Sequence, residues 1–82
     1  MADVTYYVAL PFVMSDDGPA PRDGVECTSA AAAIVRAEAF SRREEYIGAV
    51  AFSRTGDPAL GDFSDARVIK KFGDVPDDLS AL

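Results

Sequence analysis

The chain has 82 residues, 49% of them hydrophobic, with a net charge of −6 and a sequence pI near 4.3. This fits one small globular domain over residues 1–82, near the lower limit at which a single core is stable alone, so self-association is the default expectation. The acidic balance opposes non-specific binding to nucleic acid or anionic membranes, and the absence of histidine removes Ser-His and Cys-His nucleophile pairs, histidine metal sites and an imidazole base.

A single cysteine, Cys27, excludes an internal disulfide and suits a reducing compartment. No basic region precedes the first apolar run, Pro11 interrupts that run, and no stretch reaches the length of a bilayer. The expectation is a cytoplasmic protein with no membrane segment.

In chain order, Val4 to Phe12 reads as a strand. Val4, Tyr6, Val8, Leu10 and Phe12 alternate onto one face, with Thr5, Tyr7, Ala9 and Pro11 on the other. Pro11 lacks a ladder donor, so the strand is expected to end there or lie on an edge. Met14–Glu26 carries Asp17-Gly18-Pro19, Pro21 and Asp23-Gly24, which reads as a long loop.

An alanine-rich helix follows, capped by Thr28 or Ser29 and free of breakers from Ala30 to Glu44. Ala30, Ala33, Ile34, Ala37 and Phe40 share its inward face, and Glu38 precedes Arg42 by four residues as a supportive ion pair. Ala31, Ala32, Val35 and Ala39 form a second surface of small residues.

Tyr46–Arg54 reads as the second strand. Ile47, Ala49 and Ala51 alternate with Gly48, Val50 and Phe52, so neither face is polar and both need cover. Residues 55–65 read as a second long turn, on Gly56-Asp57-Pro58 and Gly61-Asp62. Ala66–Phe72 is the third strand, with Lys70 and Lys71 as edge-protecting charges. Residues 73–82 form an acidic tail in which Leu79 and Leu82 are candidates to dock.

The expected fold is therefore α+β, in the order βαββ: one alanine-rich helix packed on a three-stranded sheet. Two strand orders are open. The third strand can insert between the others, as in half of a ferredoxin-like fold. Alternatively, the second strand is central and pairs in parallel with the first through a right-handed crossover.

No motif carries a chemistry by itself. Cys27 adjoins a helix start, where a thiolate is favoured, but it has no base to pair with. Thr28, Ser29 and Arg22 lack the glycine cradle and lysine of a phosphate loop. Asp16, Asp17, Asp57, Asp62 and Asp65 do not follow the spacing of a calcium-binding loop and read as turn residues. The basic residues of the second half, from Arg36 to Lys71, match no nucleic-acid motif. No cofactor, metal or catalytic set is predicted, and the reading leans away from an enzyme.

The segments Tyr46-Ile-Gly-Ala-Val-Ala-Phe-Ser-Arg-Thr-Gly-Asp-Pro and Phe72-Gly-Asp-Val-Pro-Asp-Asp-Leu resemble those of short uncharacterised bacterial proteins of similar length. That resemblance runs over most of the chain. It implies a stand-alone domain and transfers no activity, ligand or catalytic residue.

Two functions follow from the shape. One short helix cannot cover both apolar faces of a three-stranded sheet, which predicts a protein-interaction module. It would form a homodimer or bind a protein partner through the uncovered face or an edge strand. The rival is a small-ligand-binding protein or minor enzyme with a pocket between the open face and the two long loops. Tyr7, Phe12, Arg54 and Asp57 are its candidate residues.

Overall fold

The computed structural model describes residues 3–64 and 66–76. Six strands and one helix follow in the order β1 (Val4–Ser15), β2 (Gly18–Pro21), β3 (Val25–Cys27), α1 (Ala30–Ser41), β4 (Gly48–Asp57), β5 (Asp62–Phe63) and β6 (Arg67–Gly73). All the strands join one curled, half-barrel sheet in which every pairing is antiparallel.

This corrects the expected βαββ arrangement. Both segments read as long loops are hairpins. Asp16 and Asp17 turn the chain so that Ser15 faces Gly18, which takes φ 104° in the left-handed region. The chain then returns along β1 as β2 and β3, with a slip of one residue between Pro21 and Val25. The second hairpin turns at Pro58 to Gly61. The Asp57 carboxylate accepts the Ala59 amide at 2.9 Å, and Gly61 has φ 67°. Here the return runs along β4, first as β5 and then as β6.

Two hairpins therefore flank one helix. The strand expected at the centre, β4, does lie between β1 and β6, but it pairs with β1 antiparallel and not through a parallel crossover. β1 and β4 sit side by side at the centre from Val4↔Gly56 to Phe12↔Gly48. They run antiparallel because the first hairpin reverses the chain before the helix begins. β3 and β4 are the parallel pair that α1 joins, and β1 lies between them.

Pro11 neither ends β1 nor puts it on an edge. It is fully buried and pairs with Ala49, while its carbonyl accepts the Arg22 amide at 2.9 Å. In an antiparallel ladder a residue's N and C=O point to the same side. The missing donor of Pro11 therefore faces the irregular return at residues 22–24 and leaves the β4 pairing intact.

Ser29 caps α1: its hydroxyl accepts the Ala32 amide at 3.1 Å, with φ −157° and ψ 166°. The helix stops at Ser41, short of the expected Glu44. Its last amides bond three residues back, Arg42 to Ala39 and Arg43 to Phe40. Tyr46 then meets Phe40 edge-on at 5.5 Å and turns the chain toward β4. The Glu38–Arg42 pair forms at 3.5 Å on the exposed side.

The two faces of the sheet are built differently. On one, Ala9, Ala49 and Ala51 are completely buried beneath Ala33, Ala37 and Phe40 of α1. Alanine against alanine brings helix and sheet close, and leaves room for few large side chains. The other face holds Leu10, Phe12, Val50 and Phe52, with Val8, Ile47, Ala66 and Val75 packed against them. Among the described residues no helix lies there, yet all four are buried, Phe12 at 2% exposure and Val50 at 0%. Within the single chain, Ala66 and Val75 from beyond either end of β6 reach this face and pack on the cluster. Residues 77–82, including Leu79 and Leu82, lie outside the described residues.

Candidate functional site

Among the described residues, two concave regions lie on the helix side of the sheet. The first is an open groove of about 660 Å³ between α1 and the end of β3. Ala31, Ala32, Val35 and Ala39 supply its apolar wall, and Glu26 and Arg36 place opposite charges on it. Val35 is 67% exposed. Cys27, half-buried, also lines it, and its thiol lies 3.6 Å from the Val25 carbonyl oxygen.

The second is a polar pocket of about 560 Å³ at the end of the sheet that α1 leaves bare. Thr5 and Tyr7 of β1, Ser53 and Thr55 of β4, Ser64 and Arg67 line it. Residues directly opposite in an antiparallel sheet project to one face. Tyr7 faces Ser53, and Ser53 faces Arg67, so these three form a row across β1, β4 and β6. Thr5 and Thr55 form the next row, with their hydroxyls 2.8 Å apart. The Ser64 hydroxyl donates to the Thr55 carbonyl at 2.9 Å.

The same strands thus carry two chemistries on one face. Under the helix they present Ala9, Ala49 and Ala51; beyond it they present Tyr7, Ser53, Thr5 and Thr55. Among the described residues, the Tyr7 and Ser53 hydroxyls and the Arg67 guanidinium make no hydrogen bond or ion pair with another side chain or backbone group.

The four candidate residues do not converge. Tyr7 lines the polar pocket. Phe12 is buried in the cluster on the opposite face. Arg54 faces Tyr6, one position out of step with the Tyr7–Ser53 row, and so stands on the other side of the sheet. Asp57 closes the β4–β5 turn. The pocket that Tyr7 lines lies on the helix face, and much of the two segments read as loops pairs as strands.

Thr5, Ser53, Thr55, Ser64 and Arg67 were missed by sequence reasoning. The usable signal was the change from alanine to hydroxyl residues along one face of both central strands. Seeing it requires the β1–β4 register, which single-strand alternation does not supply.

The remaining candidates are structural. Ser29 spends its hydroxyl on the helix cap. Arg43 pairs with Glu45 at 3.0 Å and stacks near Tyr46. The basic residues are spread over several elements: Arg36 on α1, Arg42 at its C-cap, Arg54 on β4, and Arg67, Lys70 and Lys71 on β6. Among the described residues, no group of three or more acidic or cysteine side chains could hold a metal ion, and no helix is long and apolar enough to cross a membrane. The chain matches no family model, no curated protein and no solved structure.

Proposed function

We propose that this protein is a small interaction module that self-associates, with the outer face of α1 as its contact surface. The observation that carries this reading is the apolar groove along α1, where Val35 stands 67% exposed. Ala31, Val35 and Ala39 recur at every fourth residue and so lie in one stripe. Small side chains there let a second helix approach to about 8 Å between axes.

The other routes to association have less support. Four apolar residues of the helix-free face are already buried within one chain. Both sheet edges are blunted: Pro19 and Pro21 lie on β2, and Arg67, Lys70 and Lys71 decorate β6. A second copy of the chain suits the α1 groove because Glu26 and Arg36 both border it. A two-fold axis would bring each to the other's partner. The helix has 12 residues, about 18 Å of contact length, so the expected dimer is weak and reversible. Residence in a reducing cytoplasm belongs to the same reading and suits the free Cys27.

Sedimentation velocity across a concentration series tests it. The expected result is a monomer–dimer equilibrium that Val35→Glu shifts to monomer without changing the circular dichroism spectrum. A wild-type chain that stays monomeric at the highest concentration sinks the proposal. Small-ligand binding is the second reading, and the polar pocket is the observation that favours it.

A further inference from the structure

We infer that the polar pocket binds a small oxyanion, the phosphate or carboxylate group of a small molecule, on the row Tyr7–Ser53–Arg67; this rests on the second reading, that the pocket takes a ligand. Two hydroxyls and a guanidinium stand in consecutive register on three adjacent strands, and none is engaged by another described residue. All three can donate at once, and a guanidinium fork matches the paired oxygens of either group. Arg67 has no acidic partner among the described residues, in a chain whose net charge is −6.

The other hydroxyls of the pocket are already engaged with protein groups. Thr5 and Thr55 satisfy one another at 2.8 Å, and Ser64 is tied to the Thr55 carbonyl. These bonds hold the rim and leave the row itself unspent. The row lies on the two central strands and β6, so its spacing is set by the sheet ladder. The α1 groove and this pocket share no lining residue.

The test is a backbone-amide NMR titration of the full chain with sodium phosphate, sodium succinate and glucose in turn, at fixed pH and ionic strength. The expected result is saturable shifts centred on Tyr7, Ser53 and Arg67 for phosphate or succinate, with a midpoint in the millimolar range. Saturation by one anion and not the other supports the site and identifies the group. Arg67→Gln should weaken binding about tenfold, as loss of a charge-assisted bond does, and Tyr7→Phe severalfold. Arg36→Gln should leave it unchanged. Because Arg67 is exposed, its variant is expected to keep the wild-type spectrum elsewhere. Saturation by glucose alone would overturn the oxyanion assignment while keeping the pocket as a ligand site. Linear drift with all three probes, or anion binding that Arg67→Gln leaves intact, would overturn it as well; drift with all three also removes the second reading.

Discussion

Gly48 of β4 and Gly73 of β6 face each other directly across the sheet, and neither has space for a side chain. A methyl carbon on Gly48 would lie 2.6 Å from the Phe72 carbonyl oxygen, and one on Gly73 would lie 2.6 Å from that of Ile47. Both neighbours are backbone, which cannot swing aside.

Gly48→Ala should therefore force the β4–β6 pairing apart and cost about 2 kcal/mol or more. Gly73→Ala adds the strain of φ 71°, about 1–2 kcal/mol by itself. Gly18→Ala, with nothing within 4 Å but φ 104°, isolates the dihedral cost. Urea denaturation of the three variants checks the order, with Gly18→Ala the mildest.

Phe12→Ala should cost about 3–5 kcal/mol, because the ring is buried in the helix-free face. A domain of this size has about 4–12 kcal/mol in total, so the variant is expected near its unfolding threshold at 37 °C. Val35→Ala, on the exposed side of α1, should stay within about 0.5 kcal/mol. Thermal melts at two protein concentrations check both. If the helix-free face were buried only by a second copy, the Phe12→Ala loss would vanish on dilution.

Overpacking should discriminate the two sides of α1. Ala37 is completely buried against the alanine face of the sheet, so Ala37→Leu is expected to cost about 1–3 kcal/mol. Ala39 lines the open groove, and Ala39→Leu should be neutral to within about 0.5 kcal/mol. Equal costs would mean that α1 is rotated from the position described.

The cap gives a local prediction. Ser29→Ala should lose about 1 kcal/mol and Ser29→Asp should retain most of it. Thr28→Ala should be neutral, since Ser29 alone accepts the Ala32 amide. Chemical denaturation with helix content followed by circular dichroism separates the two residues.

Much of this architecture was legible along the chain. The helix, its inward face of Ala33, Ala37 and Phe40, and three strands follow from periodicity and capping. The hairpins were hidden by prolines. Pro19 and Pro21 read as loop residues, yet a strand on the outer edge of a sheet tolerates them because one side of its ladder is unpaired. Pro58 falls within the second turn itself, where it is compatible with reversal. Pro11 misled in the opposite way, since its missing donor faces an irregular stretch and costs the central pairing nothing.

The sequence by itself determined that the second central strand is apolar on both faces, that one slim helix covers one of them, and that histidine chemistry is absent. These are local properties, carried by residue type and spacing. Only the tertiary structure decided what covers the other face and which polar residues share a pocket. Both depend on register between strands far apart in sequence, such as Tyr7 with Ser53, 46 positions on, and Phe12 with Gly48, 36 positions on. Register is set by how two turns reverse the chain and by how far the sheet curls. Phe12 and Val50 are buried within the single chain, which moves the functional question from the apolar face to the helix groove and the hydroxyl row.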